Sequence, residues 1–427
     1  MNILSFIRLF FIILVLSFNV VFGQKSIVNN IEIIGQYKTK PYIIEREIQH
    51  PVNIPLDSAL AEADRQRIEN LGIFSMVTFQ VFNQNQNEVV IRYMVIESWR
   101  FFPMITPVYD EKWGWSVGAM LMINNFRGRN ESFAIQGQYG GQNTIGFEFI
   151  NPWVAGDHIS FQLSVGYDIY SHNFLQYDIN SKHIQLGFGK YFDNKIRAKI
   201  GIKLIDRTYS NELEDSRNFS YVIPFINLTH DTRNLYANPS TGIISKNSIF
   251  YRLDTNGDRN NQLVWNQSTS YFKELIGGSR NMVAGVNIAN LLSFSKNLDV
   301  WYDYLGGAYT IRGWNVPNIE LYENQSQSYR FGMNWITASA EIRQTIIPKF
   351  ATKYDNEFGL SVIAFTDIGV INNSMSELLR EKPLLGIGIG IRIPWPVIKS
   401  LRLDYGWSFH NGKYMEQSLH LAFGEKF

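Results

Sequence analysis

From about Trp99 onward, apolar residues recur at every second position. Ile159, Phe161, Leu163, Val165, Tyr167 and Ile169 share one face of an extended segment, and Ser160, Gln162, Ser164, Gly166 and Asp168 share the other. Leu385, Ile387, Ile389, Ile391 and Ile393 interleave with Gly386, Gly388, Gly390 and Arg392, and Leu401, Leu403, Tyr405, Trp407 and Phe409 interleave with Arg402, Asp404, Gly406 and Ser408. Period two is the mark of strands whose faces meet different surroundings. A soluble sandwich would bury the apolar face, but so many long amphipathic strands would leave edges to protect. A cylinder closed within a bilayer satisfies every backbone group and puts the apolar rows against lipid. An arginine on the lipid face near the midplane costs roughly 2–4 kcal/mol, so Arg392 and Arg402 point into the lumen or sit near its rim. At about 20 residues per strand with its connection, the residues after position 100 predict an all-β transmembrane barrel of about 16 antiparallel strands. An even number puts both ends of the barrel on one side of the membrane. The long connection from about Leu298 to Tyr329 then lies on the far side or folds back inside, and Ile393 to Ser400, with Pro394 and Pro396, forms a near-side turn.

The segment before the barrel has a different rhythm. Ile27, Ile31, Ile33 and Gly35 predict a strand ending in a turn, and Ile43, Ile44 and Ile48 a short helix. Asp57 is placed to cap a helix reaching Leu71, with Leu60, Ala61, Ala63, Asp64 and Ile68 near helical spacing, and Gly72 closes it. Phe74, Val77, Phe79 and Val81, then Val89, Ile91, Tyr93 and Val95, alternate as two strands joined through the polar turn Asn83 to Asn87. The prediction is a small α+β domain over residues 24–98, followed by the barrel over 99–427.

Composition narrows the setting. The formal net charge of +1 gives no reason to expect nucleic acid as a partner. The chain has no cysteine, which excludes a disulfide framework, a thiolate zinc site and a lipid-modified cysteine. Arg8 precedes an apolar run from Leu9 to Phe22, broken by Ser17 and Asn19. A run of about 14 residues is short of the roughly 20 that a spanning helix needs, so residues 1–23 are predicted to be a cleaved secretory signal.

The long connection contains Gly306-Gly307-Ala308-Tyr309-Thr310-Ile311-Arg312-Gly313-Trp314. Asp367 lies opposite in phase to Leu360, Val362, Ala364 and Ile368, and Glu341 opposite to Ile336, Ala338, Ala340 and Ile342, so both carboxylates enter the lumen. An arginine buried in a confined site needs such partners, because an unpaired charge there is strongly disfavoured. The loop is therefore predicted to fold inward over about 298–329, with Arg312 clamped between Asp367 and Glu341 and its guanidinium free to bind a carboxylate bidentately.

The same residues resemble a known family. The Arg312-Gly313-Trp314 segment looks like the Arg-Gly-aromatic loop motif of the BamA and TamA superfamily. Phe365-Thr366-Asp367-Ile368-Gly369 resembles its aromatic-x-Asp-x-Gly strand motif, and Glu341-Ile342-Arg343 its acidic partner. His230-Asp231-Thr232-Arg233-Asn234, with Pro239 and Gly242, matches a further turn. The N-terminal domain, with its Leu71-Gly72-Ile73-Phe74 junction and Glu97, looks like a single polypeptide-transport-associated (POTRA) domain. The resemblance runs across the whole mature chain. It implies an outer-membrane protein of Gram-negative bacteria, with the POTRA domain in the periplasm, that has no catalytic site and no cofactor. The implied partners are unfolded outer-membrane or exported client polypeptides, outer-membrane lipid and accessory lipoproteins.

The barrel ends add a mechanism. Pro103 and Pro107 deprive the first strand of ladder donors, so it closes poorly against the last. The last strand carries Leu419, Leu421 and Phe423, and Gly424 followed by Phe427 resembles the family's kinked closing strand. A lateral seam marked by Pro103, Pro107, Gly424 and Phe427 would let a client strand pair there. The competing readings are a two-partner secretion pore and a passive channel. Against the first, such transporters usually carry two docking domains and a plug helix, for which the residues between Gln24 and Ile27 leave no room; a single POTRA domain also departs from the main assembly factor, which has several. Two further motifs carry no chemistry: Gly114-Trp115-Ser116-Val117-Gly118 spells a nucleophile elbow but lies inside an alternating strand, and Asp254-Thr255-Asn256-Gly257-Asp258 lacks a distal acidic ligand for calcium.

Overall fold

A computed structural model describes residues 26–427 except 86, 111–113, 156–157, 173, 193–194, 212–214, 258–259, 352–356 and 396–398. The expected signal segment lies outside the described residues.

The N-terminal domain comprises β1 (Ile27–Ile34), α1 (Pro41–Glu45), α2 (Ser58–Asn70), β2 (Phe74–Asn83) and β3 (Glu88–Glu97). Its sheet runs β1-β3-β2, with β1 parallel and β2 antiparallel to β3. Asp57 caps α2 by accepting from the Ala59 and Leu60 N–H groups at 3.0 and 3.1 Å, and Gly72 leaves the helix at φ +71°. Val28, Ile43, Ile44, Ile68, Ile91 and Tyr93 centre the core. Asp64 lies on the buried stripe of α2 with Ala61 and Ile68. It is a fully buried carboxylate that accepts from the Gln49 and His50 N–H groups and the Tyr93 hydroxyl, and so ties the chain after α1 to the sheet.

The remaining chain is an antiparallel sixteen-stranded sheet. Its strands are β4 (Phe101–Asp110), β5 (Gly114–Phe126), β6 (Glu131–Gly140), β7 (Asn143–Ala155), β8 (Ile159–Ser171), β9 (Asp178–Phe192), β10 (Ile196–Ser210), β11 (Arg217–Asp231), β12 (Gly242–Asp254), β13 (Gln262–Ile276) and β14 (Met282–Ser295). A two-residue ladder, β15 (Asp303–Tyr304) with β16 (Phe331–Gly332), ties the long connection. The sheet then resumes with β17 (Asn334–Ala351), β18 (Glu357–Asn372), β19 (Leu384–Trp395), β20 (Lys399–His410) and β21 (Lys413–Phe423). Each strand pairs with its neighbour in sequence, β14 with β17 across the connection. Ile200, Ile202 and Leu204 on β10, and Leu419 and Leu421 on β21, are exposed, whereas Arg392, Arg402, Glu341 and Asp367 are buried on the opposite phase. The apolar rows therefore face outward.

One turn is shorter than expected. Ile393, Pro394 and Trp395 stay in the ladder opposite Leu401, Ser400 and Lys399. The strand runs on to the rim, and the proline falls near its end, where a missing N–H disturbs little pairing.

The N-terminal domain rests on the near-side turns of the barrel. Lys40 donates to the Gly128 carbonyl at 2.9 Å, and Asn125 to the Thr39 hydroxyl at 2.7 Å. Further round, Asn70 donates to the Asn234 carbonyl at 3.1 Å and accepts from the Tyr236 N–H at 3.0 Å. Glu97 accepts the Thr39, Lys38 and Tyr37 N–H groups at 2.7, 3.0 and 3.2 Å, which fixes the docking loop that makes the first of these contacts.

Candidate functional site

Glu341 on β17 pairs in register with Phe365 on β18, and Ser339 with Asp367, so the two carboxylates sit diagonally across adjacent strands on the inner face. The long connection folds back into the lumen to meet them. Its base is held by the β15–β16 ladder and by an aromatic cluster in which Val300 and Phe331 pack with Phe174, Tyr177, Tyr209 and Phe219. Its tip is closed by the Gly307 N–H donating to the Trp314 carbonyl at 2.7 Å.

Arg312 lies at the end of that tip, 0% exposed. Its backbone N–H and Nε donate to one Asp367 oxygen at 3.0 and 2.8 Å, Nη2 to the other at 2.9 Å, and Nη1 to Glu341 at 2.5 Å. The guanidinium also stacks 3.7 Å from the centre of the Phe365 ring. Planar, bidentate binding of this kind is available to arginine and not to lysine. The second Glu341 oxygen accepts from Arg343 at 3.0 Å, Asp404 accepts from Arg392 at 2.5 Å, and Arg402 lies 3.8 Å from Asp404. Removing these charges from water is costly, and the network offsets that only because its members are paired.

The wall is shaped to admit the backbone of the loop. A methyl group at Gly386 would land on the Arg312 carbonyl oxygen, and one at Gly406 would come within 2.9 Å of Gly313. Gly386 on β19 and Gly406 on β20 thus leave a trough without side chains for the loop backbone. Gly313 takes φ +90°, and a Cβ there would lie 2.8 Å from the Trp407 backbone. Trp314 is fully buried and donates to the Leu385 carbonyl at 3.1 Å. Gly369 leaves room for Ile311, whose Cδ1 would sit 2.9 Å from a Cβ.

The loop is also bound to the closing strand. The Gly313 N–H donates to His420 Nε2 at 3.0 Å, Asn315 donates twice to Glu416 at 3.1 and 2.8 Å, and the Ser418 hydroxyl donates to Asn315 at 2.6 Å. Glu416, Ser418 and His420 are site residues that the sequence reading missed. Their phase, opposite to the outward Leu419 and Leu421, was the available signal.

Of the residues expected at the seam, Pro103 and Pro107 lie on β4, in register with Leu121 and Val117 of β5. Gly424 leaves β21 at φ +74°. Phe427 is placed differently from the expectation. Beyond the turn at Gly424 the chain swings into the lumen, where Lys426 Nζ lies 2.7 Å from Asp367 and the Phe427 ring packs 6.2 Å from Phe272. The physical reason is the shared carboxylate: Asp367 draws in the Lys426 ammonium, and the adjoining ring fills the apolar niche of Ile244, Phe272 and Val283. Asp254 caps its own turn by accepting from Asn256 and Asn260, and Ser116 lies on β5. Among the described residues no cluster of metal-ligating side chains occurs.

A sixteen-stranded membrane barrel with an inward loop clamped to its wall, set beneath one small α+β domain, defines an outer-membrane protein of the POTRA-plus-barrel class. The chain belongs to the Omp85 superfamily: the Omp85 superfamily domain matches residues 125–427, and POTRA, the surface antigen variable number repeat, matches residues 26–98. It resides in the outer membrane with its POTRA domain in the periplasm, and the family's factors are non-enzymatic. It is 24% identical over 155 residues to the outer membrane protein assembly factor BamA of Neisseria meningitidis serogroup B (strain ATCC BAA-335 / MC58). That stretch covers 36% of this chain and 19% of that protein. In fold it resembles BamA from Haemophilus ducreyi lacking POTRA domains 1–3, with a TM-score of 0.58 at 16% identity over 94% of this chain and 85% of that one. CdiB from Escherichia coli matches with a TM-score of 0.56 at 12% identity over 93% and 75%.

Proposed function

We propose that this protein inserts client polypeptides into the outer membrane, or passes them across it, at a lateral seam between β4 and β21 and without an energy-consuming active site. The observation that carries the reading is the sheet order. β4 and β21 are its two ends, and no ladder joins them among the described residues. Pro103 and Pro107 are four residues apart, so the donors they lack belong to the same side of β4. Backbone groups left open to lipid cost several kcal/mol each, and a client strand that pairs with them removes that cost. The relative in Neisseria is named as an assembly factor, which is the activity this chemistry fits. The clients are unfolded outer-membrane or exported chains, with lipid and accessory lipoproteins as further partners.

Cysteines introduced in pairs along β4 and β21 test the seam, because the chain has none of its own. Oxidation is expected to stop client insertion, with recovery on reduction. A crosslinked protein that still inserts clients at the native rate would rule out the lateral route. A second reading, a secretion pore that threads an unfolded exoprotein through the lumen, draws on a separate observation, the cationic lining of the wall opposite the seam.

A further inference from the structure

β10 and β12 are the seventh and ninth of the sixteen strands counted from β4, so they face the β4–β21 seam across the barrel. Ile200, Ile202 and Leu204 of β10 point to lipid, and the alternate, inward phase carries Arg197, Lys199, Lys203 and Arg207. The inward phase of β12 adds Lys246 and Arg252. At ~3.4 Å per residue the β10 cations climb roughly 34 Å from the near-side turn toward the far rim.

Little neutralises them. Lys199 reaches Glu148 through Gln162, with hydrogen bonds of 2.5 and 2.8 Å, and Asp168 faces His183 at 3.7 Å. Among the described residues, Lys203, Arg207, Lys246 and Arg252 have no carboxylate within 4.0 Å. Arg207 donates to the Ser181 hydroxyl at 3.2 Å, and Arg252 lies over the Phe250 ring.

A cavity sits at each end of this track. The upper one, about 270 Å³, is lined by Lys203, Arg207 and Arg252 with Tyr221, Phe250 and Trp301, and has no acidic lining residue. The lower one, about 320 Å³, lies between the POTRA domain and the barrel rim. There Arg197 lies 4.8 Å from both the Tyr191 and the Tyr236 rings, and Arg46 lies 4.2 Å from the Trp153 ring and 3.5 Å from Glu47. Glu47 is the single carboxylate among the residues lining that cavity.

We infer that the inner wall from β10 to β12 is a track for an extended, acidic client segment, held in the lumen opposite the seam while a neighbouring client strand pairs there. The inference rests on the reading that this protein handles polypeptides. Lys199, Lys203 and Arg207 recur every four residues, a spacing that an extended guest with acidic residues at intervals can match. The aromatic rings between the cations suit the apolar side chains of a polypeptide.

The test uses the full chain in nanodiscs with a fluorescent peptide of about twelve residues, alternating Glu and Ser, read by anisotropy. Native protein is expected to bind it, with affinity falling about tenfold between about 50 and about 300 mM salt, and to ignore the Lys-Ser counterpart. Combined Lys203→Gln, Arg207→Gln and Arg252→Gln is expected to weaken binding about tenfold, provided heat-shifted gel mobility shows a folded barrel; single Lys203→Glu gives the same direction with less disturbance. Absence of binding by native protein, or equal binding by the folded variants, would overturn the track. Tighter uptake of a sulfated glycan of equal charge would overturn it in favour of a polysaccharide. Because the peptide assay needs no client delivery, its failure is separable from failure of the assembly reading, which shows as an unchanged outer-membrane protein inventory after deletion.

Discussion

Arg312→Lys keeps the charge and removes the geometry. The arginine side chain makes three charge-assisted bonds, two to Asp367 and one to Glu341, and stacks on Phe365. A lysine ammonium from the same position serves one carboxylate well, so about two such bonds are lost. At about 1.5–3 kcal/mol each, the seated loop is weakened by about 3–6 kcal/mol, and the lower bound is already a factor above a hundred in loop release. The wall itself should survive. Five cations, Arg312, Arg343, Arg392, Arg402 and Lys426, meet four carboxylates, Glu341, Asp367, Asp404 and Glu425, so the neighbours still pair when the loop leaves. Ile311 is fully buried in the seated loop and the chain has no cysteine, so Ile311→Cys is a unique reporter for a water-soluble thiol reagent. Adding Arg312→Lys is expected to speed labelling about a hundredfold or more while heat-shifted mobility stays native. Labelling at the parental rate would refute the clamp as the loop's main anchor.

Other perturbations separate the contributions. Asp367→Asn leaves five cations against three carboxylates, weakens the pairing of Arg312, which keeps Glu341, and unpairs Lys426; it should lower the melting temperature of the detergent-solubilised barrel more than Arg312→Ala does, by the roughly 3–5 kcal/mol typical of a broken buried pair. Gly386→Ala sets a methyl on the Arg312 carbonyl and should expose the loop to limited proteolysis without removing any charge. Burial alone would raise the Glu97 carboxyl, but the Thr39 hydroxyl and the N–H groups of Thr39, Lys38 and Tyr37 hold it below the ordinary glutamate range. A depressed folded value means the contribution is complete at neutral pH and disappears as pH falls through that value. Protection factors at residues 37–40, taken relative to the intrinsic exchange rate at each pH, should therefore fall in acid, and Glu97→Gln should show the lowered protection already at neutral pH.

The architecture was legible because lipid and lumen impose a period of two that no core packing disturbs. The phase of Glu341 and Asp367 told their direction from strand sequence alone, and the need of a buried guanidinium for carboxylates linked them to Arg312. What escaped was set by contacts between segments distant along the chain. Gly313 and His420 are 107 residues apart, and nothing local to either marks the pairing. The glycines of β19 read as an interleaved small-residue face, and the reasons lie in contacts distant along the chain: Gly386 meets the Arg312 backbone, Gly388 the Phe365 ring and the Tyr405 backbone, and Gly390 the Asp404 side chain. Phe427 resembled a seam residue; its inward position depends on Lys426 finding Asp367, a carboxylate the reading had already assigned to Arg312. Asp64 fitted a helical spacing, and its role depends on the turn after α1 folding back over it.

The glycine trough has a consequence for the order of assembly. The loop precedes β18 to β21 in the chain, yet its groove exists only once those strands have been laid side by side. It can therefore settle only after the sheet is complete, and its docking acts as a late checkpoint that distinguishes a finished cylinder from one still lacking its final staves.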